Sequence, residues 1–160
     1  MKNYIGCKMV QAAPAIRKGG KLYGHGDPIP RSMEPCEDGY KIIYPDGYES
    51  WSPKDVFEKA YMQVQDNPNL PSGVSIGPDM VESFIKETHV TTLGGKNTVV
   101  RAVLVNGFEI IESSACVDPK NYSEEIGADI CMGKIKDKIW MLLGFLLQTA
   151  VSGVEGTHIK

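Results

Sequence analysis

Val99-Val-Arg-Ala-Val-Leu-Val-Asn-Gly-Phe-Glu-Ile-Ile-Glu-Ser-Ser114 is the stretch whose reading decides the fold class. Val99 to Val105 is apolar and largely β-branched, the composition of a strand with at least one packed face. Asn106-Gly107 follows, the strongest two-residue hairpin signal available. Phe108 to Ser114 reads as the returning strand, with Phe108 and Ile110 on one face and Glu109 and Ile111 on the other.

Toward the C-terminus, Cys116-Val117 leads into Asp118-Pro119-Lys-Asn121-Tyr-Ser-Glu124. Asp before Pro can begin a helical turn, and Asn121 with Glu124 has the spacing of a capping box. A long helix is expected from about Ser123 to Ala150, with an apolar stripe of Ile126, Ile130, Ile135, Ile139, Leu142, Leu143, Leu146 and Leu147. The opposite face would carry Lys134, Lys136, Asp137 and Lys138. Residues 151–160 are expected to fray. Toward the N-terminus, Pro78-Asp79 reads as a helix start leading into Met80, Val81, Phe84 and Ile85, and Gly94-Gly95 breaks the chain before the hairpin.

Residues 65–77 read as a linker: from Gln65 to Pro78, three prolines and two glycines in fourteen residues cannot sustain a helix or a central strand. The linker separates a module at 1–64 from one at 78–150. In the first, Tyr4 to Gln11 has the alternation of a strand, and Pro14 to Gly39 reads as a glycine- and proline-rich loop. That loop contains Arg17-Lys18-Gly-Gly-Lys21 and Gly24-His-Gly-Asp27, but not the GxxxxGK[ST] pattern of a phosphate loop. Gly39 to Tyr44 and Tyr48 to Trp51 form a hairpin around Pro45-Asp-Gly47. Ser52-Pro53 then starts a short helix to about Tyr61 that buries Val56, Phe57 and Ala60. The expected fold is α+β: two small modules, each a short antiparallel hairpin or sheet with helices, the second ending in a long helix.

Composition limits the function. With 42% hydrophobic and 23% charged residues the chain is globular rather than disordered. A net charge of −3 supplies no field for a nucleic-acid backbone, so nucleic acid is not an expected partner. Ile139 to Leu147, the longest apolar stretch, is far short of the roughly 20 residues that span a bilayer, and nothing in Met1 to Val10 resembles a signal peptide. Cys7, Cys36, Cys116 and Cys131 form no CxxC pair, and only His25, His89 and His158 could join them, so no metal site is expected. The cysteines read as buried small apolar residues.

No spacing brings His89 to Ser113, Ser114 or Cys116, and neither a nucleophile elbow, a zinc helix motif nor a dinucleotide fingerprint occurs, so neither catalysis nor a cofactor is expected. Binding remains. A small anionic ligand could use Arg101, Phe108, Asn121 and Tyr122, with the amides of the turn that starts the long helix. Ile139 to Leu147 is apolar on nearly every side, so either the first module or another copy of the chain covers it; self-association is favoured, giving a homo-oligomer formed through the C-terminal helix.

Val105 to Tyr122, with Cys116-Val-Asp-Pro119 and Asn121, and Ile139-Trp-Met-Leu-Leu-Gly-Phe-Leu-Leu-Gln148 resemble the small bacteriophage family typified by phage gene 49 and gene 66. Gly39 to Tyr61 resembles a phage accessory module that also precedes some Thoeris anti-defence domains. These resemblances imply phage origin and a place in the host bacterial cytoplasm. By analogy with small oligomeric phage sponges, they imply a non-enzymatic protein that sequesters a nucleotide immune signal, a cyclic oligonucleotide or a cyclic ADP-ribose isomer. The alternative is an accessory protein that binds a host protein through Tyr40, Tyr44, Tyr48 and Trp51.

Overall fold

The computed structural model describes residues 3–65 and 67–155. The chain divides into two compact units, with breaks at 63/64 and 148/149. Each contains one antiparallel sheet, four-stranded in the first and three-stranded in the second, so the class is α+β.

In the first unit, β1 (Gln11–Lys18), β2 (Lys21–Gly24), β3 (Glu37–Ile43) and β4 (Glu49–Pro53) precede a short helix α1 (Lys54–Ala60). The sheet order is β2-β1-β3-β4. Tyr4 to Val10 is not a strand, and the expected loop at Pro14 to Gly39 holds most of β1, all of β2 and the start of β3. The reason is that β1 has only small apolar side chains at Ala13 and Ala15, so its alternation is weak; backbone pairing from Gln11↔Ile43 to Arg17↔Glu37 holds it instead. Gly19 and Gly20, at φ +56° and +75°, close the β1–β2 hairpin in the left-handed conformation that glycine takes without steric cost. Pro14 lies just past the last β1–β2 pair, Ala15↔Gly24, where its missing N–H leaves no gap in that ladder.

The β3–β4 hairpin closes as expected, with the Tyr44 N–H donating to Tyr48 O at 2.9 Å and the Gly47 N–H to Tyr44 O at 2.9 Å. The following helix starts one residue later than expected, at Lys54, without a side-chain cap. It does not bury Val56, which is 54% exposed, or Ala60. It is held by Phe57, whose ring stacks between Tyr40 at 4.2 Å and Tyr61 at 4.8 Å. One aromatic column replaces the apolar stripe a longer helix would need.

In the second unit, α2 (Pro78–Ser83) leads directly into β5 (Ile85–Leu93), followed by β6 (Asn97–Leu104), β7 (Glu109–Ala115) and α3 (Glu124–Ser152), of which the part up to Gln148 belongs to this unit. The expected helix therefore stops before Ile85. Strand β5 was not expected, because Ile85-Lys-Glu-Thr-His-Val-Thr-Thr-Leu93 is exposed on both faces and carries no alternation. It is an edge strand whose partner supplies its order, Thr88↔Ala102 through Leu93↔Asn97. The β6–β7 turn has three residues rather than two: only Gly107 takes a positive φ, +83°, and the Leu104 N–H reaches Phe108 O at 2.8 Å.

The core lies between the sheet and α3. Val100, Ala102, Leu104 and Ile110 meet Cys131, Ile135, Ile139 and Leu143, with Met80 and Val81 of α2 closing one end. The buried helical positions are Gly127, Cys131, Ile135, Ile139 and Leu143. This is a single i, i+4 row, which runs obliquely to a helix axis and so follows a twisted sheet. Ile135, Ile139 and Leu143 of the expected stripe lie in this row, whereas Ile126, Ile130, Leu142 and Leu146 are exposed. The lysines do not share a solvated back face. Lys136 pairs with Glu82 of α2 on one flank. Lys138 pairs with Glu112 of β7, and Lys134 Nζ donates to Ser113 O at 2.8 Å.

Ser123, not Asn121, caps the helix, which begins at Glu124. The Ser123 hydroxyl accepts the Ile126 N–H at 3.3 Å and its carbonyl accepts the Gly127 N–H at 3.0 Å. Asn121 instead ends a 3-10 turn, Pro119–Asn121, capped by the Asp118 carboxylate on the Lys120 N–H at 3.0 Å. The helix runs to Ser152; residues 156–160 of the expected fraying tail, His158 among them, lie outside the described residues. No helix of the described residues is long and apolar enough to cross a membrane.

At Gly127 the helix comes so close to β6 that a Cβ would lie 2.1 Å from Thr98 Oγ1 and 2.7 Å from Thr98 Cβ. At Gly133 a Cβ would meet nothing within 4 Å. Gly127→Ala is therefore expected to destabilise by about 1–3 kcal/mol through overpacking, whereas Gly133→Ala gains roughly 0.5–1 kcal/mol of helix propensity. Urea denaturation of the two variants checks the opposite signs.

Candidate functional site

Two clefts stand out, one in each unit. The smaller, about 160 Å³, lies in the second unit where β6 and β7 meet the start of α3. Its walls include Lys96, Thr98, Ser114, Asn121, Tyr122 and Ser123. The Tyr122 hydroxyl is shared between Thr92 Oγ1 at 2.7 Å and Thr98 Oγ1 at 2.9 Å, tying the turn before α3 to β5 and β6. Thr92 also bonds Glu124 in the first turn of α3. Ser114 Oγ donates to Gly127 O at 3.1 Å. These polar groups bind the helix start to the sheet, so the cleft wall is rigid.

Asn121 and Tyr122 thus share a cleft, but Arg101 and Phe108 do not join them. Arg101 alternates with the buried Val100 and Ala102 on β6, which puts it on the sheet face away from α3. There its guanidinium donates two bonds to Glu109, at 2.8 and 2.7 Å. His89 is its cross-strand neighbour on β5 and lies 3.7 Å from Glu87. Phe108 sits at the hairpin tip, 57% exposed. Alternation of faces separates what a linear reading grouped.

The larger cleft, about 330 Å³, lies in the first unit on the sheet face that carries α1. Ile16 forms its floor, with Tyr23 opposite on β2 and Asp38 opposite on β3. Tyr40 stands two residues along β3, Lys54 stands at the start of α1, and the Gly24-to-Asp27 loop makes a wall. Tyr40 is immobilised: its ring stacks on Phe57 and its hydroxyl donates to Glu58 Oε1 at 2.9 Å. That bond to a carboxylate raises the phenol's pKa, keeping it protonated. The loop is pinned by the Gly24 N–H donating to Asp27 Oδ2 at 2.7 Å.

The basic residues of the Arg17-to-Lys21 segment are used structurally, Arg17 on the opposite face of this sheet and Lys18, two residues along β1 from Ile16, on the cleft face. The Arg17 guanidinium lies 3.9 Å from the Trp51 ring centroid and bonds Glu37 at 2.6 Å. Lys18, nearly buried, donates to Pro30 O at 2.8 Å. They do not converge as a phosphate loop would. Of the aromatics expected as anchors for a host protein, Tyr48 is exposed, Tyr40 is stacked on Phe57 and Trp51 lies under Arg17. Of the cysteines, Cys131 is buried, Cys7 and Cys116 are half-buried and Cys36 is exposed, which corrects the expectation that all are core residues. Among the described residues no group of three or more His, Cys, Asp or Glu is placed to hold a metal ion.

Residues 76–151 match the phage protein (N4 Gp49/phage Sf6 gene 66) family. This segment is similar to a phage protein family. The match takes in α2, the three-stranded sheet and nearly all of α3, and so includes the smaller cleft but not the larger one. No curated protein and no solved structure matches the chain. Tyr23, Asp38, Tyr40 and Lys54 were not among the expected ligand residues. The signal available for them was the Gly24-to-Asp27 run, read as a surface loop.

Two predictions follow from the second unit's polar contacts. Tyr122→Phe removes a hydroxyl shared by two threonines, one of them fully buried; a loss of about 1–3 kcal/mol is expected by urea denaturation. The Arg101 bonds hold the Glu109 carboxyl below its ordinary value, and the Lys138 bond does the same for Glu112. Carboxyls depressed in the folded state favour it above the ordinary value of 4.5, and that contribution is lost as pH falls through the depressed one. Urea midpoints should fall as pH drops below about 4.5, with a shallower fall in Arg101→Met and Lys138→Met.

Proposed function

We propose that the chain is a phage-encoded, non-enzymatic binding protein that sequesters a nucleotide immune signal, either a cyclic oligonucleotide or a cyclic ADP-ribose isomer. The observation that carries this reading is the first unit's cleft. At about 330 Å³ it reaches the roughly 300–1,000 Å³ of small-molecule sites, while the second unit's cleft does not. It offers tyrosines beside an apolar floor, as a base requires, and Lys54 at the margin, as a phosphate requires. The similarity of residues 76–151 to a phage family supports the phage setting. Asn121, Tyr122 and Lys96 at the smaller cleft are proposed as a lesser site for an anionic group. Self-association through the outward apolar side chains of α3, Trp140, Met141 and Leu142 among them, belongs to the same proposal.

Native mass spectrometry of the purified protein with pooled cyclic oligonucleotides and cyclic ADP-ribose isomers tests it. An intact nucleotide mass retained on the protein and released unchanged on heating is the expected result. A released but altered nucleotide would make the protein an enzyme. Protein that stays empty across the pool would end the sequestration reading and favour a protein partner.

A further inference from the structure

Of the two carboxylates that line the first unit's cleft, Asp27 and Asp38, one is engaged. Asp27 accepts the Gly24 N–H. Glu58 accepts the Tyr40 hydroxyl and faces Lys54 at 4.0 Å. Glu37 holds Arg17, and Glu34 accepts from Ser32. Asp38 lines the cleft and makes no hydrogen bond or ion pair to any described residue. Its position follows from the register: Tyr23, Ile16 and Asp38 stand in one row across three strands, so Tyr23 and Asp38 are about 10 Å apart across the Ile16 floor. Tyr40, two residues along β3, is about 7 Å from Asp38 on the same face. Two aromatic side chains, one across the strands and one along β3, therefore neighbour an unpartnered carboxylate on one sheet face.

An ionised carboxylate is acceptor-only, with two oxygens and about four lone-pair directions. It repels phosphate and selects a group that presents two donors side by side. A ribose with both its 2′ and 3′ hydroxyls free is such a group. We infer that the cleft takes the nucleoside end of its ligand, with the base against Tyr23 or Tyr40 and an unesterified ribose cis-diol on Asp38. Phosphates then lie outward, toward Lys54. Resting on the sequestration reading, this inference selects within its two ligand classes. Cyclic ADP-ribose keeps free cis-diols; a 3′,3′-linked cyclic dinucleotide has esterified 3′ oxygens and offers no diol.

Isothermal titration of the full chain with cyclic ADP-ribose and with 3′,3′-cyclic di-AMP tests the inference, alongside Asp38→Asn, Tyr23→Ala and, in the other unit, Asn121→Ala. Asp38 is exposed, and a thermal melt of each variant establishes that it is folded. Binding of cyclic ADP-ribose, weakened about tenfold or more by Asp38→Asn and unchanged by Asn121→Ala, is the expected result. Equal affinity for the cyclic dinucleotide, insensitive to Asp38→Asn, would overturn the diol assignment and leave sequestration standing. Loss of binding in Asn121→Ala alone would move the site to the second unit and overturn the assignment. If neither probe binds, the diol assignment fails; the pooled mass-spectrometric result then shows whether sequestration fails with it.

Discussion

The contact between α3 and β6 at Gly127 and Thr98 sets the geometry of the second unit. A helix this close to a sheet cannot carry a side chain at the crossing point, and Thr98 fills the space a Cβ would need. From that point the buried positions repeat every four residues to Leu143, so the helix crosses the sheet on its i, i+4 ridge. The flanking lysines follow from this placement. With one row facing down, Lys134 and Lys138 reach β7, while Lys136 reaches α2. The polar groups around the helix start serve the same contact: Tyr122 reaches Thr92 and Thr98, and Ser114 reaches the Gly127 carbonyl. Together they fix the helix where it approaches the sheet most closely.

The first unit is stabilised differently. Its buried apolar side chains are few, Ala15 and Ile42. Order comes from the strand ladders, from the Tyr40–Phe57–Tyr61 column and from Arg17 lying over Trp51. A helix as short as α1 covers only part of its sheet face. Ile16, Tyr23 and Asp38 are left at the base of a cleft instead of inside a core. Limited packing is what leaves the cleft open there.

The family similarity and the larger cleft fall in different parts of the chain. The matched segment is the well-packed unit, whose polar groups are mostly engaged with one another. The unit with unengaged polar groups around a cavity lies outside the match. A functional reading drawn from the match alone stops at a phage protein family. The proposal made for the cleft rests instead on Tyr23, Asp38 and Lys54, which lie outside the match.

The sequence by itself determined the α+β class, the β3–β4 and β6–β7 hairpins, and the long final helix. Each of these is encoded locally, by β-branched runs, by Pro45-Asp-Gly47 and Asn106-Gly107, and by sustained helical periodicity. Strands β1, β2 and β5 were not legible, because their order comes from partners across the sheet and their own side chains are small, polar or exposed on both faces. The true buried row of α3 was obscured because Ile126 and Ile130 are apolar yet exposed, while Gly127 is buried and carries no side chain to reveal it. The candidate site was legible only in part. Asn121 and Tyr122 share a cleft because they are neighbours in a turn, whereas strand alternation sends Arg101 to the opposite face. Tyr23, Asp38 with Tyr40, and Lys54 come from three elements, β2, β3 and α1, and it is antiparallel register that brings the β2 and β3 residues to one cavity. Local propensity can specify a turn or a helix, but convergence of distant side chains is set by how strands pair and which face each residue takes.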